Sequence, residues 1–236
     1  MKSFFCQMKD ALGHTRQWWL RWWMAALPLA MVSGAAIWML APLDHEVRSA
    51  VHELNETSGV WKEAARHASY YGDFLGLNLV LFTCGHGIAR LRRSRRLHRL
   101  ATAGLLCACL SGLGANVLRF ATGRPRPAAL LQDGFYGPHV RSNMQSFPSA
   151  HTATAMGAAL PVVIHTPVLG APLVACAGVV AWSRIQLNRH HLTDVLGSTL
   201  LALLFAIPLA RWAANISVPA PAADAVRLPV HVLPSA

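Results

Sequence analysis

Arg90-Leu91-Arg92-Arg93-Ser94-Arg95-Arg96-Leu97-His98-Arg99 places six arginines within ten residues. Two readings compete for such a run. Clustered guanidinium groups suit nucleic-acid phosphates. A short basic link between two apolar stretches instead marks the cytoplasmic side of a membrane protein. The flanks decide between them. Phe74 to Ala89 precedes the run, Leu100 to Leu118 follows it, and both are predominantly apolar. The run therefore reads as a cytoplasmic loop, and nucleic acid is not expected as a partner.

Composition points the same way. Of the 236 residues, 54% are hydrophobic and only 13% charged, and the mean hydropathy is +0.36. Further apolar stretches run over Met24 to Leu43, Ala150 to Ile164, Leu173 to Trp182 and Leu192 to Ala210. Several approach the ~20 residues that a helix needs to cross a bilayer. The expected fold class is all-α: a polytopic membrane protein with about six transmembrane helices in one domain, 18–213. Residues 1–17 are expected as a cytoplasmic N-terminal segment and 214–236 as a loosely ordered C-terminal tail. Trp18, Trp19, Arg21, Trp22 and Trp23 suit the headgroup layer before the first span, and Pro28 is a candidate kink. Asp44 to Asp73 reads as an interfacial helix or loop. Gly104, Ser111, Gly112, Gly114 and Ala115 would let the third span pack closely. His165 to Pro172 reads as a short turn. Cys6, Cys84, Cys107, Cys109 and Cys176 read as small buried hydrophobes with no metal or disulfide role.

Counting spans from the arginine loop places both termini in the cytoplasm. It places 44–73, 119–148 and 183–191 on the opposite face. Three polar clusters converge there: Arg119 to Pro127, Ser146 to His151 and Ser183 to Asp194. In the last, Asp194 follows His190 by four residues, so a helix starting here would put both on one face. A carboxylate beside an imidazole can fix its tautomer and steady its cation. His191, three before Asp194, is also compatible with such pairing. Arg184 offers a planar fork suited to phosphate. These residues point to phosphoryl chemistry by a histidine at a membrane edge.

With these clusters the chain resembles the type 2 phosphatidic acid phosphatase family. That family's pattern is a basic residue, six others, then Arg-Pro; next Pro-Ser-Gly-His; last Ser-Arg, five others, His, three others, Asp. Here Arg119 stands seven before Arg126-Pro127, Pro148-Ser149-Ala150-His151 matches with one change, and Ser183-Arg184, His190 and Asp194 complete the third element. The resemblance implies that Arg119, Arg126 and Arg184 hold the substrate phosphate, with donors added by Ser149 at a helix start. It implies that His190 attacks phosphorus to form a phosphohistidine, that Asp194 orients its ring, and that His151 protonates the leaving oxygen. The arginines supply the positive charge, so no metal and no cofactor are expected. The absence of an obvious acidic magnesium site along the chain agrees. Two positions depart from the pattern: Arg119 where lysine is usual, and Ala150 where glycine is usual. Alanine is costly there only if the backbone needs a positive φ. Arg124, His139, Arg141, Asn143 and Arg189 read as ordinary loop polarity, with substrate contact as the alternative.

The implied function is metal-independent dephosphorylation of a membrane lipid phosphate or pyrophosphate. Undecaprenyl pyrophosphate, phosphatidylglycerol phosphate, phosphatidic acid and lipid A phosphate are the candidate substrates. The expected partners are that lipid and the surrounding membrane lipids. The expected location is a bacterial inner membrane with the site facing the periplasm. The rivals are lipid-to-lipid phosphotransfer, a vanadate haloperoxidase (disfavoured by the spans, since those relatives are soluble) and a non-catalytic lipid-binding or transport protein.

Overall fold

A computed structural model describes residues 4–73, 76 and 78–214. They form α1 (Phe4–Met39), α2 (Ala41–Thr57), α3 (Gly59–Tyr71), α4 (Leu79–Leu91), α5 (Arg95–Thr122), α6 (Ala150–His165), α7 (Pro167–Gln186) and α8 (Leu192–Ala214), with no β-strand among the described residues. The central helix is α6. It packs on α5, α7 and α8, and every residue from Thr152 to Pro161 is buried.

Small residues make this packing possible. A Cβ on Gly157 would lie 2.8 Å from the Ala108 Cα, one on Gly104 would lie 3.0 Å from the Ala158 carbonyl oxygen, and one on Gly112 would lie 2.6 Å from Thr154 Cγ2. The α5 and α6 backbones therefore touch almost directly. Large apolar side chains such as Leu20, Met24, Leu27, Met31, Val80 and Val168 face outward instead. A bundle lined by small residues and sheathed in large apolar ones is built for lipid as its solvent.

Helices lie at all six expected positions. By length and composition α5, α7 and α8 can each cross a membrane, and the two parts of α1, bent by 69°, pass together as a fourth. The 13-residue α4 and 16-residue α6 are shorter. Residues 4–17 are continuous with α1, and Ala11 is buried in the same core cluster as Leu100 and Leu209. The turn expected over His165 to Pro172 shrinks to one residue, Thr166. Pro167 stands at the first helical position, where no N–H is needed, and Gly170 is no turn residue: a Cβ there would collide with Val163. Of the expected tail, residues 215–236 lie outside the described residues. The expected interfacial stretch forms α2 and α3, and Asp44 of α2 is buried.

Consecutive spans alternate in direction, which sorts the polar residues to two ends. At one end Arg96 Nε donates to His165 Nε2 at 2.7 Å, and Arg99 donates to the Trp212 carbonyl at 3.3 Å. At the other end the C-termini of α5 and α7 meet the N-termini of α6 and α8.

Candidate active site

The last turn of α7 explains the spacing between Arg184 and His190. Asn188 adopts a left-handed φ of 52°. The Asn188 N–H donates to the Ile185 carbonyl, while the N–H groups of Arg189 and His190 both donate to the Arg184 carbonyl at 3.0 and 3.2 Å. This left-handed C-terminal cap folds the five intervening residues back, so His190 returns to the helix end that carries Arg184.

His190 is 3% exposed. Its Nδ1 lies 2.8 Å from the Ser146 carbonyl oxygen. A carbonyl can only accept, so Nδ1 carries the proton and Nε2 keeps its lone pair. Burial pushes the imidazole below its ordinary pKa; Asp194 pulls it back up, and the charges of Arg184 and Arg126 push it further down. The neutral ring, the form that can attack, is the one favoured.

Asp194 lies beside His190 with its Oδ2 3.6 Å from His190 Nδ1, close enough for an ion pair and too long for a hydrogen bond. The helix begins only at Leu192, so the carboxylate reaches back to accept the His191 N–H at 2.8 Å, as an acidic residue in the first turn does. Oδ2 also accepts from the Ser146 hydroxyl at 2.5 Å. Asp194 thus holds the residue whose carbonyl holds His190, and its charge acts on the ring from a short distance. His191 turns away, with its Nε2 3.2 Å from the Pro125 carbonyl oxygen.

The cations gather around this point. Arg126 feels the like charges of Arg119 and Arg189, and Arg184 those of Arg126 and Arg189. Buried Nε atoms of Arg126 and Arg184 have no hydrogen-bond partner, which leaves donors for an anion. Arg184 also donates through Nη1 to Ser69. Ser149 is fully buried at the N-cap of α6 and its hydroxyl accepts from Thr152 at 3.2 Å. Ala150 is helical and absent from the positive-φ residues, so its methyl group causes no backbone strain. His151 follows and lines a cleft of about 720 Å³ together with Arg184, Arg189, Ser69 and Asp73. Its Nε2 is 3.6 Å from Asp73 Oδ1.

Arg124 is neither substrate contact nor loose loop polarity. It has no exposure and bonds three carboxylates: Asp194 at 2.7 Å, Asp44 at 2.9 Å, and Asp133 at 2.7 and 2.9 Å. Burial alone would raise the Asp133 carboxyl, but its bond to Arg124 outweighs this and holds it below the usual carboxylate range. The fold thereby gathers an acidic group that was not expected: Asp44, Asp133 and His191 present potential ligand atoms within 4.8 Å of one another. The Arg124 guanidinium already bonds both carboxylates, which supplies the positive charge that a cation would bring.

Arg119, Arg126, Arg184, His151 and His190 thus fall in one electrostatic neighbourhood, with Ser149 at the adjoining helix start. His139 bonds the Gly137 carbonyl at 3.1 Å, Arg141 is exposed, and Asn143 supplies only its carbonyl, to Arg126 N. Asp44 and Asp73 carry site contacts that no motif announced, and Ser146 and Arg189, which lie within the polar clusters, carry contacts beyond the motif positions. The burial of Asp44 had one faint signal, an acid just after the apolar run ending at Leu43.

Comparison with known proteins places the chain as a whole. The sequence profile described as the PAP2 superfamily matches residues 100–217, half of the chain. Undecaprenyl-diphosphatase BcrC of Bacillus subtilis (strain 168) is 29% identical over 104 residues, 42% of this chain and 53% of that protein. The chain therefore spans about half the length of that relative. The crystal structure of a transmembrane PAP2-type phosphatidylglycerolphosphate phosphatase from Bacillus subtilis superposes with a TM-score of 0.61 at 21% identity, over 83% of this chain and 97% of that one. That likeness extends the common fold across most of the bundle.

Proposed function

The chain belongs to the PAP2 superfamily, and from that premise we propose that it hydrolyses the terminal phosphate of a membrane lipid phosphate or pyrophosphate. The observation that carries the proposal is His190: its Nδ1 is engaged by the Ser146 carbonyl and its ring lies within the fields of Arg184 and Arg126. Arg119, Arg126 and Arg184 bind the phosphate oxygens, and the N–H groups at the start of α6 add donors. Nε2 of His190 attacks phosphorus as the bond to the leaving oxygen breaks, and His151 gives that oxygen its proton. The phosphohistidine carries positive charge on its ring, which Asp194 offsets. Water then attacks phosphorus, His151 takes its proton, the P–N bond breaks, and neutral His190 returns. The arginines stand in for a metal throughout.

The cluster lies at the bundle end opposite Arg90 to Arg99. With the arginine loop cytoplasmic, the site faces the periplasm of a bacterial inner membrane. The lipid headgroup then meets the arginines while its tail stays in the bilayer. Phosphate release from lipid phosphates in detergent with EDTA tests this reading. Wild type is expected to release phosphate and His190→Ala to release none above background. Abolition by EDTA would overturn the metal-free mechanism, and transfer to a second lipid without free phosphate would overturn hydrolysis.

A further inference from the structure

A second cavity, of about 480 Å³, opens at the site end of the bundle, apart from the catalytic cleft. His45, Arg48, Ser49 and His52 of α2 form one wall, and Pro127 and Asn188 also line it. The four α2 positions fall at i, i+3, i+4 and i+7, a single stripe of the helix. Arg48 is half-buried and makes no hydrogen bond or ion pair among the described residues. Helix spacing offers it Asp44, four residues earlier. The Asp44 oxygens are instead taken up by Arg124 and Thr193. His52 has the carboxylate of Glu56 at 3.5 Å; Arg48 has none. The Asn188 amide is half-buried too and has no side-chain partner among the described residues. A guanidinium partly withdrawn from water without a counter-charge, with an amide beside it, is suited to an anion.

The cavity backs onto the catalytic centre. Leu187 and Arg189 line the cleft that holds His151 and Arg184, whereas Asn188 between them lines the second cavity. The left-handed φ of 52° at Asn188 reverses the chain at this point. Pro127, on the same cavity, directly follows Arg126. Arg126 and Arg189 are therefore each one residue from the second cavity, and the charge of Arg189 acts on Arg126. The field that draws a phosphate into the cleft extends to the space behind it.

We propose that this cavity is a second phosphate-binding site, separate from the catalytic centre, in which Arg48 and Asn188 hold the phosphate oxygens. The Arg48 fork supplies two parallel donors, the Asn188 amide a third, and the His45 imidazole a further N–H at the exposed rim. The same donors suit a free phosphate ion or the phosphate of a neighbouring lipid headgroup. A free ion would be the product of hydrolysis, and that source rests on the phosphatase reading above; the site itself does not.

Equilibrium binding of radiolabelled inorganic phosphate to the purified full chain tests this. In uncharged detergent, wild type is expected to bind a second ion beyond the one at the catalytic arginines. Arg184→Gln should lose the catalytic ion and keep the other. Arg48→Gln should weaken the second ion about tenfold or more, the worth of a charge-assisted hydrogen bond. Arg48→Lys, which keeps the charge without the fork, should recover part of that affinity. Initial kcat/KM of Arg48→Gln on a lipid phosphate should equal that of wild type. The same count in bilayer discs of phosphatidylglycerol separates the two sources. A second ion that still binds there marks a site for free phosphate, and one excluded there but not in discs of uncharged lipid marks a headgroup site. A single ion in wild type, unaltered phosphate binding in Arg48→Gln, or a fall in its initial kcat/KM would overturn the second site. Wild type that released no phosphate from any lipid would remove the phosphatase reading and leave the ion count to decide this site.

Discussion

Arg124 Nη1 lies 2.7 Å from Asp194 Oδ1, and neither side chain has any solvent exposure. The same guanidinium bonds Asp44 and Asp133, and the Thr193 hydroxyl relays between Arg124 at 2.7 Å and Asp44 at 2.6 Å. One cation therefore ties together carboxylates from α2, the α5–α6 loop and α8. Breaking a buried pair by removing one partner is expensive because a charge is left behind. Arg124→Met is expected to destabilise the protein by about 3–5 kcal/mol. Thermal unfolding in detergent measures this. Arg124→Lys should recover little, since a compact ammonium lacks the fork that reaches all these acceptors.

The acid limb of the pH dependence follows from His190. Burial sets its pKa below the ordinary value, and Asp194 opposes that fall without cancelling it. In the proposed mechanism the neutral ring attacks, so activity is expected to be lost as pH drops through the lowered pKa. The acid limb of kcat/KM is expected below about pH 6.5, the unperturbed value. Asp194→Asn removes an influence that raises the pKa. Its acid limb should therefore move to still lower pH while the rate at neutral pH falls. A limb that moved upward would contradict this account of the ring.

Asp73 places a carboxylate 3.6 Å from His151 Nε2, in a cleft otherwise rich in arginine. It favours a proton on the group that, in the proposed mechanism, gives one to the leaving oxygen. Asp73→Asn is expected to lower kcat about tenfold on lipid phosphates, at the low end of what general acid catalysis contributes. A phenolate leaving group such as p-nitrophenolate needs less help and should be nearly insensitive. Parallel assays on a lipid phosphate and p-nitrophenyl phosphate separate the two.

Ala150 stands where the family pattern has glycine, and its backbone is helical. Ala150→Gly should therefore leave kcat/KM unchanged. It should cost up to about 1 kcal/mol of stability, the helix preference for alanine over glycine. Activity and melting temperature measured on one preparation test both halves.

The legible part of the site was its local part. Arg184 and His190 sit on one helix cap, and Ser149 and His151 on one helix start. Such groups are fixed by spacing along a few residues, so their arrangement can be read from the chain. The α6–α7 turn was misread because Gly170 serves close approach to Val163, and a glycine used for packing looks the same in sequence as one used for turning. Asp194 stands beside His190, as the spacing implied, while the start of α8 at Leu192 also directs its carboxylate to the His191 N–H, a bond that spacing alone does not announce.

The sequence alone determined the class of the protein: apolar runs long enough for lipid, a basic loop between two of them, and three polar clusters that alternation of the spans sends to one end of the bundle. Hydropathy and helix periodicity are properties of neighbouring residues, so no fold was needed to see them. Only the tertiary structure decided who bonds whom. Asp44 meets Thr193 across 149 residues, Arg124 meets Asp194 across 70, and Ser146 lends its carbonyl to His190 across 44. Hydrogen bonds and buried ion pairs depend on distances of a few ångströms in space, and those distances exist only after the helices have packed.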